Sequence, residues 1–155
     1  LARESEKNRY QFGAISAFFA QHGGAPLPLD SAHTLETDDF YLEIDFPAQE
    51  SSIEKLAASL RELSEFVEQY PRIRWLVGQS WLVSQQGGEL IKRYGFTKSD
   101  IPVPPEEVER SKEAGRSRPN ASPRYIQRVE SSQPAFCFAD RDEFLEAMQR
   151  MHHKE

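Results

Sequence analysis

Residues 73–96, IRWLVGQSWLVSQQGGELIKRYGF, constrain the fold more than any other part of the chain. They form its most apolar run and hold both tryptophans. Ile73, Trp75, Leu76, Val77, Trp81, Leu82 and Val83 are apolar on both parities. A strand with one wet face alternates. A run that does not alternate suits an interior strand covered on two sides. Arg72 and Arg74 mark its entry from solvent, and Gly78 marks an expected bulge or close backbone approach. Gln85–Gly88 supplies a turn. A short helix over 86–94 then puts Leu90, Ile91 and Tyr94 on one face. Gly95 suits the left-handed residue that ends a helix, and Phe96 returns the chain to the core.

The neighbours of that strand follow from periodicity. Ser51–Tyr70 predicts a helix, with a capping box at Ser51-Ser52-Ile53-Glu54 and Pro71 as its stop. Ile53, Leu56, Ala57, Leu60, Leu63, Val67 and Tyr70 form its apolar stripe. Before it, 32–46 reads as a hairpin or a long strand broken near Thr37–Asp39. Phe40, Leu42, Ile44 and Phe46 face the core, and Tyr41, Glu43 and Asp45 face water. Strand, helix and strand of these lengths make a βαβ unit, with antiparallel pairing as the alternative. A helix is expected over 6–21 from Tyr10, Ala14, Ala17, Phe18 and Gln21, ended by His22-Gly23-Gly24.

After Phe96 the composition changes. Residues 97–134 hold six of the chain's prolines and read as largely irregular. A short charged helix is expected over 104–114, an exposed loop over 115–123 and an edge strand over 125–129. A buried strand follows at Ala135–Phe138. A last helix, 140–151, opens on an Asp140 cap and turns Phe144, Leu145, Met148 and Met151 inward. The expected architecture is one α/β (α+β) domain over 1–155, a central mixed sheet of about four to six strands flanked by helices.

Charge and composition narrow the function classes. The net charge of −6 argues against free attraction to nucleic acid or an anionic membrane. No run approaches the roughly 20 apolar residues of a membrane-spanning helix. The single Cys137 cannot form an internal disulfide, and the charged start LARESEKNRY has no signal-peptide pattern. The expected location is the cytoplasm.

Several residues are candidates for chemistry. Ser80 lies in Gly78-Gln79-Ser80-Trp81-Leu82, close to a nucleophile elbow except that Leu82 stands where that turn needs glycine. Gly87 and Gly88, ahead of a helix, offer free N–H groups to an anion. Between Arg110 and Arg128, six basic residues, Arg116 and Arg118 among them, face only Glu113. Such a segment can meet a phosphate, a coenzyme tail, RNA or an acidic partner, although charge runs are more often solvated loops. Cys137, between Phe136 and Phe138, reads as buried and inert. His22 and His33, with Glu36, Asp38, Asp39, Glu43 and Asp45, could supply metal ligands, but no metal-binding spacing occurs and no metal is expected.

Two stretches resemble the GNAT acyltransferase superfamily. Trp75–Phe96 is similar to the family's last conserved region, a strand and then a helix ending in aromatic-Gly-Phe, here Tyr94-Gly95-Phe96. Asp39–Val83 is similar to the C-terminal domain of bacterial GNAT-like proteins. A Leu-Glu-Ile-x-x-Pro strand there leads through an amphipathic helix to Ser-Trp-Leu-Leu. This chain has Leu42-Glu43-Ile44-Asp45-Phe46-Pro47 and Ser80-Trp81-Leu82-Val83. The resemblance implies a splayed pair of central strands that admits acyl-coenzyme A, and transfer to a small-molecule or protein amine. It also implies a glycine-rich pyrophosphate loop, but that loop's Q/R-x-x-G-x-G/A signature does not occur here. Under the resemblance Glu43, or a water it holds, is the base that deprotonates the amine, and Tyr94 or Tyr125 protonates the leaving thiolate. The alternatives are a non-catalytic module that binds a protein or ligand through 110–128, a protein partner or homodimer included, and a metal-assisted hydrolase using His33.

Overall fold

The computed structural model describes residues 9–13, 15–45, 53–80, 92–117, 122–123, 127 and 135–153. In chain order the elements are β1 (Arg9–Phe12), β2 (Ile15–Gln21), β3 (Leu27–Pro28), β4 (Thr34–Leu35), β5 (Phe40–Asp45) and α1 (Ile53–Gln69). Then come β6 (Ile73–Ser80), β7 (Thr97–Lys98), α2 (Pro105–Arg116), β8 (Ala135–Asp140) and α3 (Arg141–His153). Six strands make one mixed sheet in the order β1-β2-β5-β6-β8-β7, and β3 pairs with β4 in a small second sheet. The class is α+β, as expected.

The strand β6 sits inside this sheet, parallel to β5 and antiparallel to β8. Ile73, Trp75, Leu76 and Val77 are all buried. Ile73 and Leu76 join the core on the helix side, and Trp75 and Val77 join a smaller core on the other side. Ile73 and Trp75 are two residues apart, yet they face opposite ways. The register explains this, because it shifts between Phe40↔Ile73 and Tyr41↔Trp75. Arg74 is the extra residue at that irregularity, and it turns outward to Asp140 at 2.6 Å. The bulge expected at Gly78 is therefore at the other end of the strand. Gly78 itself keeps regular pairing with Ile44 and Cys137.

The β5–α1–β6 unit is parallel, which settles the choice left open by the sequence. Leu42 and Ile44 pack on Leu56, Leu60, Leu63 and Val67 of α1 and on Phe144 and Met148 of α3. Full burial of each such side chain is worth about 1.5–3 kcal/mol. The other parity of β5 is not wet along its length: Tyr41 is buried beneath Leu29 and Leu35 of the β3–β4 region.

The helix expected over 6–21 is instead the β1–β2 hairpin. Its register closes on Phe12↔Ile15 around Gly13, whose φ is 59°. A side chain at Gly13 would also meet Ser59 Oγ at 2.6 Å. A mid-helix glycine costs about 1 kcal/mol against alanine, whereas here it makes the turn. With period two, Ile15, Ala17 and Phe19 reach the helix side, where β5 supplies their neighbours.

α3 is capped locally and α1 from a distance. Asp140 Oδ1 accepts the Asp142 and Glu143 N–H groups at 2.9 and 3.3 Å, which is the expected N-cap of α3. The last turn of α1 carries no basic residue. Arg141 Nη2 serves it from a distance, donating to the Val67 and Glu68 carbonyls at 3.1 and 3.5 Å. Most of the helix expected over 86–94, and the cap at Ser51-Ser52, lie outside the described residues. Gly95 does take the left-handed conformation, with φ 87°, and donates to the Lys92 carbonyl at 3.1 Å. In the expected edge strand over 125–129 the one described residue, Gln127, is helical. Gly115 and Arg116 belong to α2 rather than to a loop. No described helix is long and apolar enough to cross a membrane.

Candidate functional site

The sheet face away from α1 and α3 carries three cross-strand rows. Ala20, Tyr41, Trp75 and Asp140 stand opposite one another in the first. Arg9, Phe18, Glu43, Val77, Phe138 and Thr97 form the second, which crosses all six strands. The third aligns Gln11, Ser16 and Asp45 on one side and Gln79 with Phe136 on the other. The face thus grades from aromatic to polar toward the C-terminal ends of β5 and β6.

The aromatic end is covered. Leu29 and Leu35 are fully buried against Tyr41, Trp75, Val77 and Phe138. His33 lies edge-on to Trp75 at 5.9 Å and beside Phe138 at 5.3 Å. Its Nδ1 pairs with Asp30 Oδ1 at 2.9 Å. The same oxygen accepts the Ala32 and His33 amides at 2.8 and 2.7 Å. Desolvation opposes ionisation of Asp30, yet these hydrogen bonds and the His33 ring prevail and hold its carboxyl below the ordinary value. Ser99, buried, donates to the Leu29 carbonyl at 2.6 Å, and Asp100 accepts Ser31 N–H and O–H at 3.1 and 2.6 Å. Among the described residues the buried indole N–H of Trp75 meets no acceptor.

Glu43 stands in the middle row, partly buried between Phe18 and Val77. Its charge reaches Tyr41: burial first, and then Glu43, push that phenol above its ordinary pKa. Arg9 lies over the Phe18 ring at 5.2 Å and donates to Ser16 Oγ at 3.4 Å. Among the described residues the parallel β5–β6 register ends at Ile44↔Gly78. β5 keeps its pairing with β2 to Asp45↔Ser16, and β6 keeps its pairing with β8 to Ser80↔Ala135. Among the described residues β5 thus reaches one residue past the last β5–β6 pair, and β6 two.

The other candidates do not converge on this place. Tyr94 is buried in the helix-side core, across the sheet from Glu43. Ser80 is the last residue of β6. Gly87, Gly88, Arg118 and Tyr125 lie outside the described residues. Arg116, on α2, is held by Glu109 at 3.1 Å and Glu113 at 2.7 Å. Cys137 is buried beside Leu42 and Leu76, and burial pushes its thiol up to about 12. Among the described residues no three His, Cys, Asp or Glu side chains gather as a metal site, so His22, His33 and the carboxylates that follow them form no such group. His22 Nε2 instead donates to the Ala25 carbonyl at 2.6 Å. Arg9 and Ser16 escaped the sequence reading because a helical stripe was read through them. The run over residues 15–20 is mostly apolar on both parities, so its spacing alone does not single them out.

No protein-family model, no curated protein and no solved structure matches this chain.

Proposed function

We propose that the chain is a GNAT-like N-acyltransferase, or a relative that retains only the binding step, moving an acyl group from acyl-coenzyme A to a small-molecule or protein amine. The observation that supports this reading is the central parallel pair. The resemblance calls for two central strands that part. β5 and β6 are the parallel central neighbours, and among the described residues their shared register ends at Ile44↔Gly78. Peptide groups at the ends of these two strands would meet the amide-bearing arm of the coenzyme.

The fit is partial. Arg116, a candidate for the pyrophosphate, is engaged by Glu109 and Glu113. Coenzyme A supplies a thioester activated for attack by an amine. Glu43 has the role of base: its carboxylate takes the ammonium proton directly or through one water, which frees the nitrogen lone pair. The new C–N bond forms as the C–S bond breaks, the coenzyme leaves as its thiolate, and the nitrogen's second proton passes to that sulfur or to water. Tyr94, on the far side of the sheet, is not placed to protonate the thiolate, and Ser80 has no role in this scheme.

Thermal stabilisation by acetyl-coenzyme A tests the binding step, because a ligand of the native state raises its stability by RT ln(1 + [L]/Kd). Glu43→Gln is expected to keep that stabilisation and lose about 10²–10⁴ in turnover. Stabilisation without turnover in the unmodified protein identifies the binding-only relative. No stabilisation at about 1 mM coenzyme, far above an ordinary Kd, removes the proposal.

A further inference from the structure

Six aromatic rings run along the rim where α1 meets the β1–β2 hairpin and the start of β5. Tyr10 and Phe12 lie 4.6 and 5.3 Å from Phe66, and Phe66 lies 4.5 Å from Tyr70. Tyr70 continues to Phe19 at 6.0 Å, and Phe19 to Phe40 at 5.5 Å. None of the six is fully buried, and Tyr70 is 42% exposed. The other five are partly buried, Phe12, Phe19 and Phe66 against the core, and a partly exposed aromatic edge is the kind of surface that protein interfaces use.

The two ends of the stripe carry opposite charge. Glu62 Oε2 reaches the β1–β2 turn, 3.7 Å from where a side chain on Gly13 would begin, and so flanks Phe12. The Arg72 guanidinium lies over the Phe40 ring, 6.0 Å from its centre. Both residues are exposed. Among the described residues neither makes an ion pair. A stripe that is negative at one end, aromatic along its length and positive at the other is complementary to itself after a half-turn. That is the requirement for an isologous two-fold contact. Phosphate-bearing partners fit poorly, because Glu62, Glu65 and Glu68 lie exposed along the same helix.

We infer that this rim docks a second copy of the chain as a two-fold dimer. The aromatic stripes stack on each other, and Glu62 of each copy meets Arg72 of the partner subunit. Both ion pairs recur by symmetry, so one substitution removes both.

Sedimentation velocity over a range of concentrations tests it, with thermal melts confirming that each variant is folded. The unmodified protein is expected to show a reversible monomer–dimer equilibrium that weakens with salt. Glu62→Arg and Arg72→Glu are each expected to raise the dimer Kd about tenfold or more, the scale of two lost charge pairs at a contact. The double charge swap is expected to restore it to within about threefold, a recovery that general surface damage cannot produce. A monomer up to about 1 mM, a dimer indifferent to both single variants, or a double variant no better than the singles would each overturn the inference.

Discussion

The two faces of the sheet solve the same problem by different means. On the helix side, α1 and α3 cover Ile15, Leu42, Ile44 and Leu76 with long amphipathic stripes. On the other side a hairpin of two-residue strands covers Tyr41, Trp75, Val77 and Phe138. So small a lid buries little area by itself. It is fastened by polar groups: Asp30 to His33 and its own turn, Ser99 to Leu29, and Asp100 to Ser31. A broad apolar cover tolerates loose polar detail, whereas a narrow one depends on it.

The largest expected effect separates the two covers directly. Leu60→Ala, at a fully buried site between sheet and helices, is expected to cost about 3–5 kcal/mol in chemical denaturation. Leu35→Ala is equally buried, but the lid can settle onto the space, and about 2–3 kcal/mol is expected. Equal costs would mean that the lid is as rigid as the helical layer. Ser99→Ala comes next, leaving the Leu29 carbonyl without its buried donor, for about 1–2 kcal/mol. Hydrogen exchange should show the loss in residues 29–35 and not in α1. The smallest effect is a pH dependence. Asp30 titrates below its ordinary value in the native state, so its contribution is present above the unfolded carboxylate value of about 3.9 and is lost as pH falls through the lower native one. Exchange in the lid should rise across that window before the helix-side core responds. Simultaneous loosening of both faces would dissolve the distinction.

The same contrast governs what the sequence made legible. Helical stripes and the β6 run declare themselves by local spacing, and α1, α3, β5, β6 and the Asp140 cap followed from it. Residues 9–21 misled because Tyr10, Ala17 and Phe18 also satisfy a helical spacing. Only pairing with β5, distant in the sequence, decides for strands, and Gly13 was the local sign of it. The irregularity at Arg74 was hidden because an inserted residue merely makes a run look apolar on both parities. The lid was illegible because its fastenings span long separations: Ser99 to Leu29, and Asp100 to Ser31. The place of Glu43 on the sheet followed from its strand, whereas the rows that flank it needed the register.

The position of β8 sets a schedule for synthesis. This strand comes late in the chain, yet it lies between β6 and β7 in the sheet. The dipeptide at its end, Asp140-Arg141, tethers Arg74, starts α3 and finishes α1. As the polypeptide leaves the ribosome, the earlier strands wait with β6 uncovered along one edge until residues 135–141 emerge. Apolar, unpaired and exposed in the meantime, that edge is where a chaperone would be expected to bind the nascent chain.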